Sequence, residues 1–198
     1  YNVLLIFDEV ISGFRVGFEG AAGLYKIQPD IITFGKIIGG GMPVGAYASS
    51  HAIMQHVSPL GSVYQAGTLS GNPVAMAAGA AQLSQCLQPH FYQNLQQKTD
   101  TLVNGIRQHI LTKGYEITIY NIGSIFWFTF SDMAHLTRAD QIESGKMSLF
   151  AKVYHYLLEH GIYFGPSGYE VGFVSAAHSA TDIEKAIQTI CDALDSVM

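Results

Sequence analysis

The sequence predicts an α/β fold: a partial large domain with a mainly parallel sheet over residues 1–88, then a small α+β domain over residues 89–198. Three observations predict it. Val3 to Val10 and Asp30 to Lys36 are short, nearly continuous apolar runs, the pattern of strands buried on both faces of a parallel sheet. Beyond the break at Gln88-Pro89-His90, helical and strand-like stretches alternate around an apolar set of their own. Finally, Tyr1-Asn2-Val3-Leu4 reads as a strand already under way, so a further N-terminal portion carrying part of any active site is expected.

Each element has its own signal. Pro43 to Ala48 reads as a short strand after the glycine run Gly39-Gly40-Gly41, and His51 to His56 as a short helical piece. Asn72 can cap a helix whose first position suits Pro73, and Ala75 to Leu83 is so rich in small residues that the helix must pack closely against a neighbour. A helix over about Phe91 to Leu111 places Leu95, Leu102, Ile106 and Ile110 on one face and ends near Gly114. Tyr115 to Tyr120, Ser124 to Phe130, Ile162 to Phe164 and Val171 to Ala176 read as strands, with a helix over Ser144 to His160. The last helix is expected to start at a capping box, Thr181-Asp182-Ile183-Glu184, and to bury Ile183, Ile187, Ile190 and Leu194.

Composition narrows the functional classes. With 198 residues, 48% hydrophobic and 13% charged, the chain can bury a sizeable core. Its apolar runs stop well short of the roughly 20 residues a membrane helix requires, and no signal-peptide pattern opens the sequence. The net charge of −5 and scattered Lys and Arg leave no basic stripe for nucleic acid. Cys86 and Cys191 lie far apart without metal-ligand spacing, so both read as buried thiols in a reducing, cytoplasmic setting and no metal site is expected.

The chemistry gathers at two strand ends. Asp8 and Lys36 close their apolar runs, and ligands of open α/β sheets collect at the carboxyl ends of strands. An ion pair between the two is the plain structural alternative. The glycines after Lys36 clear space beside it, which suits a lysine that forms a Schiff base with a carbonyl cofactor while an Asp, read as buried, holds a pyridine nitrogen. A P-loop is excluded, because Lys36 precedes the glycines instead of following them. Arg15 reads as a surface residue, His178 as a structural hydrogen-bonding residue, and Phe126-Trp127-Phe128 as core.

IFDEVISGFRVGFEGAAGLYKIQPDIITFGKIIGGGMPVGAY, followed by YQAGTLSGNP, resembles the class III pyridoxal-phosphate aminotransferases, and within them the glutamate-1-semialdehyde 2,1-aminomutases. The resemblance runs from Leu4 to about Ile190 and implies a fold type I PLP-dependent transferase. It implies that Lys36 is the Schiff-base and proton-carrying lysine, that Asp8 pairs with the pyridine nitrogen, and that Gly67 and Thr68 reach the partner subunit's cofactor phosphate in a homodimer. Pyridoxal 5'-phosphate, with its pyridoxamine form in the cycle, is the implied cofactor. The segment GIYFGPSGYEVGFVSAAHS implies a substrate-selective role for Glu170, where many aminotransferases have an arginine that grips a carboxylate. The implied reaction converts glutamate-1-semialdehyde to 5-aminolevulinate for tetrapyrrole synthesis. An ω-aminotransferase with an external acceptor, or an inactive fragment, are the alternatives.

Overall fold

The structure, a computed structural model, describes residues 3–198; Tyr1 and Asn2 of the expected first strand lie outside the described residues. The chain divides into two compact units, one running to Tyr92 and one from Gln93 to Met198.

The first unit opens with β1 (Ile6–Glu9), α1 (Gly20–Tyr25), β2 (Ile31–Phe34), β3 (Ala46–Ser49) and α2 (His51–Met54). α3 (Pro73–Cys86) follows, and the long α4 (Phe91–Lys113) starts at the unit's end. The strands form one sheet in the order β1-β2-β3. β1 and β2 are parallel, with Asp8 opposite Thr33, whereas β2 and β3 are antiparallel. The mainly parallel sheet of expectation is therefore mixed over this stretch. The link from Phe34 to Ala46 is too short for a parallel crossover, which takes a dozen residues or more and is usually helical.

The apolar run before Asp8 is also not buried on both faces: Val3, Leu4 and Leu5 are exposed, and Ile6 is 58% exposed. β1 is an edge strand among the described residues, with β2 alone beside it. α3 begins as its sequence demands. The Asn72 side chain accepts hydrogen bonds from the Val74 and Ala75 N–H groups, and Pro73 occupies the first turn. Its small residues serve close approach, since a β-carbon at Gly79 would run into the Ile38 carbonyl oxygen.

In the second unit β4 (Ile117–Ile122), β5 (Ile125–Phe130) and β6 (Gly172–Phe173) form an antiparallel sheet, with α5 (Met147–Glu159) and α6 (Ala180–Asp195) completing it. Leu102, Val103 and Ile106 of α4, Phe126 and Phe128 of β5, Val153 and Leu157 of α5, and Ile190 and Leu194 of α6 are buried. Each such side chain contributes roughly 1.5–3 kcal/mol through burial. Cys86 and Cys191 are buried free thiols.

Three details differ from the sequence reading. Among the described residues Ile162–Phe164 pairs with no strand; the Ile162 N–H instead returns to the Leu157 carbonyl and closes the end of α5. The strand expected over Val171 to Ala176 shrinks to β6. The cap of α6 is Ser179, two residues before Thr181: its hydroxyl accepts the Asp182 N–H, and Asp182 Oδ2 accepts the Ser179 N–H at 2.7 Å. Asp182 is thus the reciprocating acid of the box, in the place more often taken by Glu or Gln. Among the described residues no helix is long and apolar enough to cross a membrane.

Candidate functional site

Parallel pairing brings the carboxyl ends of β1 and β2 side by side, and each carries one of the two expected residues. Asp8 Oδ1 accepts a hydrogen bond from the Thr33 hydroxyl at 3.3 Å and another from the Val10 N–H at 3.1 Å. Among the described residues none reaches Oδ2, and the side chain is exposed. The buried carboxylate of this strand end is the next residue, Glu9, at 1% exposure. Successive strand residues face opposite sides, so in an acidic pair one points inward and the other outward.

Lys36 follows Gly35 at the end of β2 and opens a 3-10 turn, Lys36–Gly39. Its φ of 49° lies in the left-handed region, a conformation that costs a residue with a β-carbon roughly 1–2 kcal/mol. Such strain persists where surrounding structure imposes it, and it clusters at functional sites. Here the turn is imposed by the Gly40 N–H bonded to the Ile37 carbonyl at 3.1 Å, and by the small-residue face of α3 beneath Ile38. The Lys36 side chain is exposed, and among the described residues no ion pair joins it to Asp8. The ion-pair alternative is not realised.

Gly67 and Thr68 belong to an exposed turn closed by the Ser70 N–H on the Gly67 carbonyl at 2.9 Å. Gly67, with Gln65, Ile38 and Tyr47, lines a groove of about 710 Å³ along α3. Tyr64, just before it, is 82% exposed.

Glu170 belongs to the second unit and is exposed there, its N–H bonded to the Ser167 carbonyl at 2.9 Å. Trp127 holds the same loop, donating its indole N–H to the Gly168 carbonyl at 2.8 Å. Half-buried Trp127 is therefore a loop anchor, while Phe126 and Phe128 on the other face of β5 are core. His178 is structural as expected: its Nδ1 accepts the Ser175 N–H at 3.1 Å, and Lys98 Nζ binds its carbonyl at 2.7 Å. Arg15 departs from the surface reading. It is half-buried, its Nε donates to the Ile11 carbonyl at 3.2 Å, and burial lowers its pKa.

Sequence reasoning passed over Glu9, Val10 and Thr33. The acidic doublet Asp8-Glu9 inside an apolar strand carried the signal for Glu9. Among the described residues no cluster of His, Cys, Asp and Glu could hold a metal ion.

A chemistry of two parts follows from this arrangement. An exposed primary amine on a strained turn stands at the end of one strand, and at the end of its parallel neighbour stands a carboxylate with one oxygen oriented by protein donors and the other without a donor among the described residues. Known proteins share the framework. The chain is similar to an omega-transaminase from Sphaerobacter thermophilus, with 27% identity and a TM-score of 0.86 over 100% of this chain and 45% of that one. It is similar to a transaminase with PLP bound, with 29% identity and a TM-score of 0.83 over 98% of this chain and 44% of that one. Its fold also matches a glutamate-1-semialdehyde-aminomutase from Pseudomonas aeruginosa PAO1 in complex with PMP, at 23% identity and a TM-score of 0.82 over 100% of this chain and 45% of the other. The chain thus spans a little under half the length of these solved proteins, and its fold is that of the fold type I PLP-dependent transferases. The family model described as aminotransferase class-III matches residues 1–198, and the chain belongs to that family.

Proposed function

We propose that this chain supplies the covalent lysine and the ring-nitrogen carboxylate of a pyridoxal-phosphate enzyme, and that the whole protein is an aminomutase converting glutamate-1-semialdehyde to 5-aminolevulinate. The observation that carries the cofactor assignment is Lys36, exposed and held at φ 49° just past the end of β2, the parallel partner of the strand whose end carries the exposed Asp8. The residues fit such a group: Asp8 has one oxygen without a donor among the described residues, and Lys36 is engaged by no carboxylate there.

When bound, the cofactor supplies an electron sink for a carbanion at the substrate carbon. Asp8 would hold a proton on the ring nitrogen, since an adjacent anion favours the protonated form. Lys36 Nζ would anchor the cofactor and, once released, carry a proton between donor and acceptor carbons as a general base and acid. The turn at Gly67 and Thr68 offers a hydroxyl and backbone N–H groups to a phosphate, and we assign it to the neighbouring subunit's cofactor in a cytoplasmic homodimer. Glu170 would disfavour a second carboxylate at the reacting end, which suits an amino aldehyde.

The mutase assignment rests on the motif around Glu170 in the sequence. A second reading, an ω-aminotransferase, is favoured by the 27% identity to the Sphaerobacter thermophilus enzyme. Supplying the full-length protein with glutamate-1-semialdehyde alone separates them. Formation of 5-aminolevulinate without any added amino acceptor supports the mutase; a strict requirement for a second substrate supports the transaminase.

A further inference from the structure

Glu9 is a buried carboxylate that the proposed chemistry does not use. It has no cation within ion-pair distance among the described residues. Its partners are the Ser12 hydroxyl and the N–H groups of Ala21 and Ala22, at 2.9 and 2.7 Å, in the first turn of α1. A buried carboxylate is tolerable when its oxygens are hydrogen-bonded, and here three donors aim at them, a set that the single acceptor oxygen of a neutral amide would not satisfy.

Two glycines make room for Glu9, one beside its carboxylate and one beside its backbone carbonyl. At Gly20, with φ +62°, a β-carbon would stand 2.6 Å from Glu9 Oε2. At Gly13 one would stand 2.6 Å from the Glu9 carbonyl oxygen, which accepts the Gly13 N–H at 2.8 Å. Two glycines of the motif VISGFRVGFEG thus clear the way for one residue.

The loop that Glu9 anchors reaches both strand ends of the site. Val10 donates its N–H to Asp8 Oδ1 at 3.1 Å, and its side chain flanks Gly35, where a β-carbon would lie 3.1 Å from Val10 Cγ1. The Phe14 ring packs on Phe34 with centroids 5.1 Å apart, and its carbonyl accepts the Tyr92 hydroxyl at 3.0 Å. Phe34 and Gly35 immediately precede Lys36. The loop therefore grips β1 through Glu9 and Val10, and β2 through Phe34 and Gly35.

We propose that Glu9 is a positioning residue: through its bonds to Ser12, Ala21 and Ala22 it locks the loop after β1 and so fixes Asp8 and Lys36 relative to each other. This rests on the cofactor reading above, in which Asp8 and Lys36 act on one group. In Glu9→Gln the amide turns an N–H toward at least one of the existing donors, whereas Ser12→Ala removes a single partner and keeps the charge.

The test compares these two variants of the full-length protein with wild type, with and without pyridoxal phosphate. In the cofactor-free protein the rate at which trinitrobenzenesulfonate labels Lys36, read by peptide mapping, is expected to change severalfold in Glu9→Gln and less, in the same direction, in Ser12→Ala. In the loaded protein the pH midpoint of the cofactor's visible band is expected to shift in the same order. In Glu9→Gln kcat is expected to fall about 10- to 100-fold with a smaller change in KM, the scale of a small misplacement of reacting groups. Wild-type Lys36 labelling and an unchanged pH midpoint in folded variants would overturn the proposal and leave Glu9 a structural anchor. If Glu9→Gln does not fold, Ser12→Ala decides by the same readouts. A wild type that takes up no pyridoxal phosphate would overturn the cofactor reading instead, and Lys36 labelling would still test Glu9.

Discussion

Gly79 of α3 lies directly against Ile38, in the turn that opens with Lys36, and a β-carbon at residue 79 would overlap the Ile38 carbonyl oxygen. Inside a helix, Gly79→Ala should gain up to about 1 kcal/mol of helix propensity. The clash is with backbone on both sides, and overpacking of that kind costs about 1–3 kcal/mol. Gly79→Ala is therefore expected to lower the urea midpoint of the full-length protein and to loosen cofactor retention. A raised midpoint with normal retention would contradict the seat assigned to α3.

The cap of α6 separates two neighbouring hydroxyls. Ser179→Ala removes the acceptor of the Asp182 N–H and should cost about 1 kcal/mol, the usual value of an N-cap. Thr181→Ala, at an exposed position past the cap, should stay within about 0.5 kcal/mol. Denaturation midpoints of the two variants measure the difference; equal losses would argue against Ser179 as the cap.

Asp195, at the end of α6, accepts hydrogen bonds from the Tyr115 hydroxyl at 2.8 Å and Lys113 Nζ at 3.1 Å, and lies 2.7 Å from His109 Nε2. Tyr115 first, then His109 and Lys113, hold its carboxyl down at about 2. A depressed carboxylate stabilises the fold above its unfolded pKa, and that share is lost as pH falls through the folded value. Melting temperatures between about pH 4 and pH 2 should therefore fall less steeply in Asp195→Asn than in wild type. Parallel curves would show that the cluster contributes nothing to acid stability.

Glu170→Gln removes the charge assigned to repelling a carboxylate while keeping the size of the side chain. In the full-length enzyme the variant should gain transamination with α-keto acid acceptors relative to conversion of the amino aldehyde. An unchanged ratio of the two activities would remove Glu170 from substrate selection.

Long helical periodicity was legible because it reports a buried face directly, whereas the apolar run Val3 to Ile6 misled, its residues being exposed at the edge of the sheet among the described residues. Leu95, Leu102, Ile106 and Ile110 of α4 are all buried, and the Asn72-Pro73 cap starts α3 where local chemistry demands. The candidate residues Asp8 and Lys36 were legible as types at strand ends. Which of two adjacent carboxylates points inward depends on strand phase, and the apolar run up to Asp8 and Glu9 has no alternation to set it. For that reason Glu9 was passed over. The path of Ile162–Phe164 was likewise hidden, because an apolar triplet reads as a strand whether or not a neighbouring strand receives it. Trp127 sat in an aromatic run that hid its polar edge, and only the Gly168 carbonyl opposite reveals its second task.

Lys36 is proposed as the covalent anchor of pyridoxal phosphate. Borohydride reduction of the loaded full-length protein, followed by peptide mapping, tests it most directly. A pyridoxyl label on Lys36 that disappears in Lys36→Ala is expected. A label carried by another lysine, or none at all in protein that has bound the cofactor, would contradict it.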